Sequence, residues 1–594
     1  MLLFPILRFL ALAATAAAEL RVVPEPTSHS EGNTTLCLHP SFKIKIEGGS
    51  AADLSEAAKT VQDRLSSAPL YLSPTHGSEF SCGGELRSLV LRFTGPAKPI
   101  AVHAQERLEK RIENEAYTLS MPVNGPAVIT AQTSIGLYRG LTTFENLLYS
   151  ALPGPNNGDN GHHGNGHKDK RGNAKKQVYA PFAPYEIKDR PAFGWRAVLL
   201  DSSRHYLSLD VIRRQLDAMA AVKINVFHWH IVDSQSFPLK FSGELGALAD
   251  NAAYSPAKIY TEDDVRRIVD YAGARGIDVV IEIDTPGHTA AVYNTFPELI
   301  AGFVRHPWSI WANEPPSGQL RFADPATISF TRKMFKQTLG LLKSPYFGTG
   351  GDEINAVCVS NDTQTADIYA ANGWSFNFTT KAESDATLSA ALRPFTEQTH
   401  EVIREIGRTP VVWDEMAIEF DSGIGNDTLI QAWRGPESTA GVINKGFRVI
   451  MADYNYFYLD CGQGGWVTGN PEKAKTGNIN SWCDPYKTWM KALSYDPYLN
   501  LTSDAQKELV VGGQASLWAE QTDANNIEAQ LWPRAAAFAE VFWSGGGQKG
   551  FPRDPIAAVG RMHDVRYRLD ARGIRSVPIQ PEWCAMRPGE CLLE

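Results

Sequence analysis

Residues 195–233 read WRAVLLDSSRHYLSLDVIRRQLDAMAAVKINVFHWHIVD, and this stretch contains the pattern that decides the fold. A β-rich run at Ala197 to Asp201 and a second one at Ile224 to His230 flank a segment with helical spacing. Four apolar residues of that segment share one helix face: Ile212, Leu216, Met219 and Val222. Strand, helix and strand in this order predict a parallel βαβ unit.

The same alternation continues along the chain and predicts eight strands. They are Ala197 to Asp201, Ile224 to His230, Asp278 to Asp284, Tyr346 to Gly351, Pro410 to Trp413, Leu429 to Trp433, Arg448 to Asp453 and Val510 to Trp518. Thr261 and Asp264 form a capping-type start for one of the intervening helices. Eight units over about 350 residues predict a (β/α)8 TIM barrel with insertions, closed by a last helix at Asn525 to Trp543.

A segment rich in Gly, Asn, His and Lys precedes the barrel. Residues 154–177 read GPNNGDNGHHGNGHKDKRGNAKKQ, without apolar periodicity, and such a composition cannot bury enough apolar surface to order itself. We predict a flexible linker over residues 151–183. It separates a smaller N-terminal α/β domain, residues 19–150, from the barrel domain with its C-terminal tail, residues 184–594.

The N-terminal region has strand and helix patterns of its own. Strands are predicted at Phe42 to Ile46 and Leu89 to Phe93, and a helix at Ile135 to Leu148. Two dibasic pairs, Lys110-Arg111 and Lys170-Arg171, are candidate processing sites. We therefore expect part of this domain to be a propeptide that ends near residue 111.

Composition places the chain among acidic globular proteins. Its 594 residues are 43% hydrophobic and 21% charged, with a formal net charge of -9. No basic run is long enough to follow a phosphate backbone, so we expect no nucleic-acid partner.

Met1 to Ala18 is an apolar run that ends in small residues, which predicts a cleaved secretory signal peptide at 1–18. No later segment has the apolar length of a membrane span, so we expect no membrane partner. Secretion, to the extracellular space or the cell wall, agrees with five Asn-x-Ser/Thr glycosylation sites: Asn33, Asn361, Asn377, Asn426 and Asn500.

Seven cysteines in an oxidising compartment predict disulfides and one leftover thiol. Cys584 and Cys591 are close enough in sequence to form a disulfide within the C-terminal tail. A disulfide between Cys461 and Cys483 would close one long loop. The remaining three compete for a third bridge: Cys37, Cys82 and Cys358. No CxxC pair indicates zinc.

Unusual residues follow almost every predicted strand, and the carboxyl ends of barrel strands are where barrel sites lie. They are Asp201 and Arg204, Asp233, His288, Asp352 and Glu353, Trp413 and Asp414, Trp433, Tyr458 and Asp460, and Trp518 and Glu520. Charged groups that hold hydroxyls, together with flat tryptophan walls, predict a carbohydrate ligand. The chain has no Gly-rich phosphate loop, no GxSxG and no metal-ligand spacing, so we expect neither cofactor nor metal.

Seven motifs then occur in a fixed order. They are DSSRHY (201–206), HWHIVDSQSFP (228–238), DTPGHT (284–289), GGDE (350–353), VVWDE (411–415), YLD (458–460) and LWAEQTD (517–523). Together they resemble the family-20 glycoside hydrolases, the β-N-acetylhexosaminidases, and above all their secreted fungal members. The resemblance is strong from about Pro184 to the C-terminus and weak in the N-terminal region.

This resemblance implies a retaining exo-enzyme that removes terminal GlcNAc or GalNAc from chitooligosaccharides and glycans. Ordinary retaining glycosidases place two carboxyl groups ~5 to 5.5 Å apart, one of them the nucleophile. Adjacent residues of an extended strand point to opposite faces, so Asp352 and Glu353 cannot easily form that pair. In this family the substrate's own 2-acetamido oxygen is the nucleophile and forms an oxazolinium ion.

By resemblance three residues are catalytic. Glu353 is the general acid and then the base for water. Asp352 accepts the acetamido N–H and stabilises the oxazolinium, and Tyr458 donates to the amide oxygen.

The resemblance also implies nine substrate-binding or supporting residues. Those that enclose the acetamido methyl group and the sugar ring are Trp413, Trp433 and Trp518. Those that hold hydroxyls O3, O4 and O6 are Arg204, Asp460 and Glu520. Asp233 and His288 form a network that keeps Glu353 protonated near the working pH, and Trp482 is a platform for the next sugar.

One departure from the family concerns Cys358. Many members have a cysteine near Leu299 to Phe303 that pairs with the cysteine after GGDE, but this stretch reads LIAGF here. Cys358 is then either free or paired differently. As partners we expect the carbohydrate substrate, the chain's own propeptide held without a covalent bond, and a second copy in a homodimer.

Two other functions compete with this interpretation. One is a secreted sugar-binding protein on an inactive barrel of the same kind. The other is a chitinase-like enzyme that cleaves inside the polymer. The presence of Asp352, Glu353 and Tyr458 favours the exo-hydrolase.

Overall fold

A computed structural model describes residues 20–67, 81–151, 177–374, 380–467, 479–547, 550–587 and 589–591. Several predictions fall outside these residues: the signal peptide, the sequon at Asn377, the pair Lys170-Arg171 and most of the linker. The described residues form an N-terminal α/β domain and a closed barrel.

The N-terminal domain is a six-stranded sheet covered by helices. In chain order the strands are Ser28–Glu47, Gly84–Phe93, Tyr117–Met121, Ala127–Ala131, Tyr149–Ala151 and Gln177–Asp189. They lie side by side in the order one, two, four, three, six, five, and strand six also pairs with strand one. The helices are Ala52–Ser67, Ile100–Ala104, Leu108–Asn114 and Ser134–Asn146. Both predicted strands and the predicted helix of this region are present.

The prediction of a flexible linker is wrong for its C-terminal part. Residues 177–183 begin the strand Gln177–Asp189, which pairs antiparallel with Ser28–Glu47 and with Tyr117–Met121. Pro181 and Pro184 concealed it, because proline removes a ladder hydrogen bond and argues against a strand. The region predicted as propeptide supplies the first two strands of this sheet.

The barrel agrees with the predicted eight strands. They are Trp195–Asp201, Val226–Val232, Asp278–Ile283, Tyr346–Gly350, Thr409–Trp413, Leu429–Ala432, Arg448–Met451 and Val510–Leu517. Each pairs in parallel with the next, and the eighth closes on the first from Gly512↔Trp195 to Leu517↔Leu200. This arrangement confirms the (β/α)8 barrel with a smaller α/β domain.

Helices and short ladders surround the barrel. The helices are Leu209–Ala221, Gly246–Ala252, Glu262–Gly273, Trp308–Trp311, Pro325–Leu339, Ala356–Ser360, Thr363–Ala371, Lys381–Glu405, Glu415–Ile418, Pro436–Asn444, Tyr454–Phe457, Trp489–Leu493, Asp504–Glu508, Ile527–Leu531, Arg534–Ser544, Pro555–Ala571 and Glu582–Ala585. Single 3-10 turns lie at Ala290–Asn294 and Pro297–Leu299. Two-residue ladders join Leu239–Lys240 to Tyr260–Thr261 and Ile300–Ala301 to Gln319–Leu320.

Two helix predictions have different outcomes. Thr261 and Asp264 form the expected capping box. The single helix predicted at Asn525 to Trp543 is two helices that are interrupted at Trp532-Pro533, because proline lacks the N–H that a helix interior requires. No described helix has both the length and the apolar character needed to cross a membrane.

The disulfides settle the three competing cysteines. Cys37 pairs with Cys82, while Cys461–Cys483 and Cys584–Cys591 form as predicted. Cys358 is a buried free thiol, and burial raises its pKa to about 12.

Buried charges join the N-terminal domain to the bottom of the barrel. Glu115 accepts from Arg139 at 2.7 Å, from Arg196 at 2.6 Å and from Asn225 at 3.0 Å. Arg111 pairs with Asp278 at 2.7 Å in a similarly buried contact. The apolar floor of the barrel interior includes Leu108 from the N-terminal domain, so this domain acts as a plug for the barrel.

Glu115 is the anion of this junction, and its removal leaves two buried arginines without their shared partner. We expect Glu115→Ala to lower the free energy of unfolding by about 3 to 5 kcal/mol. The matched control is Glu113→Ala, because Glu113 lies in the last turn of the helix that Glu115 follows and makes an exposed ion pair with Arg190. That change should cost under about 0.5 kcal/mol. Urea unfolding checks both, and equal losses would contradict the role of the buried junction.

Candidate active site

The carboxyl ends of the barrel strands converge on one rim, as the sequence predicted. Asp201, at the end of the first strand, accepts the N–H of Arg204 at 3.1 Å and the N–H of Ala519, beyond the eighth strand, at 3.0 Å. Residues more than 300 positions apart therefore meet at this edge. Every rim residue predicted from the strand ends lies within the described part of the chain.

Arg204 is the central cation of the rim. Its Nη1 lies 2.9 Å from Asp233 and 3.3 Å from Asp201, while Nε and Nη2 contact the carboxylate of Glu314. The guanidinium also stacks on Trp518 at 5.2 Å. Burial opposes its charge, but the surrounding carboxylates raise the pKa of Arg204 well above its usual value. A guanidinium in this position is permanently charged and fixed in orientation.

Asp233 and His288 form the network that the sequence predicted. Asp233 contacts His230 Nε2 at 2.6 Å and His288 Nδ1 at 3.1 Å. His230 Nδ1 lies 2.7 Å from Glu282. Burial opposes the charge on His288, but Asp233 and the next carboxylates hold its pKa well above the ordinary value. His288 is therefore an imidazolium in the ligand-free site.

The GGDE turn brings Asp352 and Glu353 to the other side of this imidazolium. His288 Nε2 lies 3.7 Å from Asp352 Oδ2 and 3.3 Å from Glu353 Oε2. Gly350 and Gly351 have φ of +65° and +96°, and Glu353 has +57°. The sequence argument assumed an extended strand here, and that assumption is wrong. The conclusion that Asp352 and Glu353 cannot form the carboxyl pair of an ordinary retaining glycosidase still holds, because the imidazole of His288 lies against both carboxylates.

The glycines of this turn make room for a neighbouring acid. A Cβ on Gly350 would lie 1.7 Å from Asp284 Oδ1, and a Cβ on Gly351 would meet Met416. Both positions combine positive φ with a close approach that only glycine tolerates.

Protonation in the ligand-free site differs from the prediction for Glu353. Burial alone would raise its pKa, but the hydrogen bond and the charge of His288 lower it. The proton resides on the histidine, so the expectation that this network keeps Glu353 protonated is wrong for the empty site. Burial and the neighbouring Asp284 raise the pKa of Asp352 well above its usual value.

The three tryptophans predicted to enclose a sugar, Trp413, Trp433 and Trp518, lie together with Tyr458. Trp413 lies 6.0 Å from Trp518, and Tyr458 stacks on Trp433 at 6.0 Å. Trp433 Nε1 donates to Glu415 at 3.1 Å, which fixes the orientation of the indole. We call these four rings the aromatic box. Burial and the neighbouring Asp352 raise the pKa of Tyr458 well above its usual value, so the box lies beside that carboxyl group.

Trp482 stands at the mouth of this box. It is 66% exposed and contacts Trp433 and Tyr454 through ring centroids 5.8 and 5.2 Å apart. Its position next to Cys483 ties it to the loop that the Cys461–Cys483 bridge closes. An exposed indole held in this way is a platform for a further apolar surface.

Asp460 and Glu520 lie on the remaining part of the rim. Burial raises the pKa of Asp460 to about 7, and burial with the nearby Glu314 raises that of Glu520 well above the usual range. Asp460 Oδ1 accepts the N–H of Trp518 at 3.4 Å. Both carboxyl groups can therefore donate as well as accept at neutral pH.

Sequence reasoning missed several rim residues. Glu314 and Asn313 come from a loop between Ile300–Ala301 and Gln319–Leu320, where no strand periodicity marks them; Asn313 hydrogen-bonds Glu353. Asp284 and Glu415 were visible as parts of DTPGHT and VVWDE but received no role. A cavity of about 230 Å³ opens beside Glu353, and Trp433 and Glu415 are among the residues that line it.

Among the described residues, three groupings of carboxylate, histidine and cysteine side chains have the spacing of metal ligands: Asp233, His288 and Glu314; Asp284, His288 and Asp352; and Asp460, Cys461 and Cys483. In the first, Arg204 already supplies the cation. In the third, both cysteines are in a disulfide and offer no thiolate. The second contains the Asp352 carboxylate of the catalytic rim.

Comparisons with known proteins agree with this geometry. The model of "Glycosyl hydrolase family 20, catalytic domain" matches residues 193–546, and that of "beta-acetyl hexosaminidase like" matches 22–147. A beta-hexosaminidase of Arthroderma benhamiae is 31% identical over 499 residues, which cover 81% of this chain and 74% of that protein. A chitooligosaccharidolytic beta-N-acetylglucosaminidase of Bombyx mori is 33% identical over 421 residues, which cover 68% and 65%.

Solved structures share the fold. The chitobiase of Flavobacterium johnsoniae superposes with a TM-score of 0.70 at 25% identity, covering 94% of this chain and 74% of that one. The beta-N-acetylhexosaminidase of Streptomyces coelicolor superposes with a TM-score of 0.65 at 23% identity, covering 95% and 98%.

The free thiol of Cys358 faces the stretch LIAGF at one residue, Gly302. A Cβ on Gly302 would lie 2.4 Å from Cys358 Sγ. We expect Gly302→Cys to form a disulfide with Cys358, so that alkylation of the denatured, unreduced protein modifies no cysteine. The control Gly302→Ser keeps one reactive thiol and loses about 1 to 3 kcal/mol to overpacking. Two alkylated thiols in Gly302→Cys would refute the contact.

Proposed function

The chain belongs to glycoside hydrolase family 20, and from this membership and the rim geometry we infer that it is an exo-β-N-acetylhexosaminidase. It removes terminal non-reducing N-acetylhexosamine with retention of configuration, and the substrate's acetamido group is the nucleophile. The relatives named as chitooligosaccharidolytic enzymes make chitooligosaccharides the substrate class that we propose.

One observation carries the assignment of roles: Asp352 and Glu353 both lie against His288 Nε2. Two carboxylates that share one imidazole cannot take opposite sides of a sugar ring as acid and protein nucleophile. They can act on neighbouring atoms of one substrate. We assign Glu353 to the glycosidic oxygen and Asp352 to the acetamido N–H.

The reaction then proceeds in two steps. Tyr458 donates to the acetamido oxygen and Asp352 accepts from its N–H, so the oxygen attacks the anomeric carbon while Glu353 protonates the leaving oxygen. The bond to the leaving sugar breaks and an oxazolinium ion forms beside Asp352. Glu353, now a carboxylate, takes a proton from water, which attacks the anomeric carbon and regenerates the acetamide.

The other rim residues position the sugar. Arg204, Asp460 and Glu520 offer a fixed guanidinium and two carboxyl groups for the hydroxyls, and the aromatic box excludes water from the acetamido methyl group. We assign the leaving sugar to the cavity beside Glu353; Trp433 lines this cavity, and the exposed Trp482 packs against Trp433.

Secretion and N-glycosylation belong to the same proposal. The asparagines of the four described sequons are all exposed: Asn33, Asn361, Asn426 and Asn500. The signal peptide at 1–18, the propeptide, its retention and the homodimer stay predictions. If cleavage occurs near Lys110-Arg111, strand pairing within the N-terminal sheet would hold the fragment in place.

A chromogenic aryl β-N-acetylglucosaminide tests the function. The native protein should hydrolyse it, and should leave the corresponding aryl β-glucoside intact because that sugar lacks the acetamide. Glu353→Gln should lower kcat by about 10²- to 10⁴-fold. Hydrolysis of both sugars at similar rates would contradict the substrate-assisted mechanism.

The matched control for this variant is Glu397→Gln, because Glu397 lies on the outer helix Lys381–Glu405 and makes an exposed ion pair with Arg393. Its kcat on the aryl substrate should stay within about threefold of the native value. If the native protein binds GlcNAc but cleaves neither sugar, it is a sugar-binding protein instead.

The charge on His288 predicts a shift of the pH profile. Glu353 must carry a proton to act, so activity falls as pH rises through its pKa, and His288 lowers that pKa. Replacing the cation in His288→Gln should raise the pKa of Glu353 and move the alkaline limb of kcat/KM up by ~1 to 3 pH units. An unchanged limb, measured across the full profile, would show that His288 does not control the acid.

A further inference from the structure

Asp352 has a buried oxygen without a conventional donor. No N–H or O–H among the described residues donates to its Oδ1, although that atom is shielded from solvent. A buried carboxylate oxygen left without a partner costs free energy, so native structures satisfy nearly all of them. A neighbouring group that shares a proton with this carboxyl would remove that cost.

Asp284 is the group in position to do so. It ends the third barrel strand, is 2% exposed, and its Oδ1 accepts the N–H of Gly351 at 2.9 Å. Oxygens of Asp284 and Asp352 and a ring nitrogen of His288 all lie within 4.8 Å of one another. Gly350 allows this approach, because a Cβ there would overlap Asp284.

Two neighbouring buried carboxyl groups cannot both ionise, since like charges at this distance repel strongly in a poorly solvated site. Burial raises the pKa of Asp284 to about 7, and burial together with the neighbouring Asp284 raises that of Asp352 well above its usual value. The titratable groups that face the pair are mostly acidic, with His288 as the nearest cation. The others are Glu282 and Asp233 from the strands behind, Glu353 from the same turn, and Glu415 and Tyr458 from the aromatic side.

We propose that Asp284 is a positioning residue that shares one proton with Asp352 and takes it over when substrate binds. In the ligand-free site the proton lies on Asp352 and is donated to Asp284. When the acetamido N–H donates to Asp352, the O–H bond of Asp352 breaks and one forms on Asp284. Asp352 becomes the carboxylate that faces the oxazolinium, while the pair keeps one negative charge throughout.

This inference rests on the role proposed above for Asp352. It explains how a carboxyl group with a raised pKa can still stabilise the positive oxazolinium. A carboxyl group held neutral by its surroundings would stabilise a cation poorly. A neighbour that accepts its proton gives Asp352 a full charge at the moment when the positive oxazolinium forms. No net proton enters or leaves the closed site.

A pair of substitutions at Asp284 separates this function from packing. Asn in Asp284→Asn accepts from Gly351 and donates to Asp352, whereas Asp284→Ala does neither. We expect Asp284→Asn to lose less than about tenfold in kcat and Asp284→Ala to lose about 10- to 150-fold, with KM for the aryl N-acetylglucosaminide less affected. Thermal unfolding shows whether each variant is folded. Equal losses in two folded variants would overturn the proposal.

The proton itself is visible by infrared spectroscopy in the ligand-free enzyme. The native protein minus Asp284→Asn should show the carbonyl stretch of a protonated carboxyl group, and native minus Asp352→Asn should show the same band. The band should disappear as pH rises, because a raised pKa means that the proton is bound at lower pH and lost above it. Absence of the band in both difference spectra overturns the proposal.

The spectrum also distinguishes this inference from the function on which it rests. If Glu353→Gln stays active, the proposed function fails whether or not the band is present. A divalent cation bound by Asp284, His288 and Asp352 is the competing explanation of the cluster. Dialysis of the native enzyme against EDTA should leave kcat unchanged, and a loss that Mg²⁺ or Ca²⁺ restores would replace the shared proton by a metal.

Discussion

Closure of the barrel between its eighth and first strands is the constraint on which the site depends. The two strands pair in parallel over six positions, and Gly512 permits it, since a Cβ there would lie 1.8 Å from the carbonyl oxygen of Trp195. Once the ring is closed, all eight strands point the same way and their ends form one rim. The N-terminal domain supports this geometry from below, where Leu108 completes the floor of the barrel.

The rim concentrates more acidic than basic groups in a place where water is scarce, and this imbalance sets their protonation. Asp233 and Glu282 contact histidines or arginine, and those cations hold their pKa values low against the effect of burial. Glu415 and Glu520 lie near other carboxylates, and burial with that repulsion raises theirs. Arg204 and His288 can neutralise only part of the negative charge of the rim. The protonation state of each acid therefore depends on its neighbours.

The sequence predicted the barrel well because strand periodicity and chain order suffice to define it; all eight strands begin within two residues of their predicted starts. Residues at strand ends were found for the same reason. Glu314 and Asn313 were not, since a loop has no period and its path depends on packing. The strand at 177–183 and the break at Pro533 were missed because proline effects depend on tertiary context. Spacing along the sequence also does not show which carboxyl groups lie close together in the fold, as Asp284 and Asp352 do.

The same limit explains why the adjacent acids were understood only in part. Sequence showed that Asp352 and Glu353 do not straddle a sugar, but the cause is the left-handed turn around His288 rather than the alternation of a strand. The two carboxyl groups have opposite states because His288 lowers the pKa of Glu353, while burial and Asp284 raise that of Asp352. Substrate has to reverse both, giving Glu353 a proton and Asp352 a charge. In the ligand-free enzyme the proton that Glu353 requires lies on His288, and the negative charge that Asp352 requires lies on Asp284. Each is held by a neighbouring side chain.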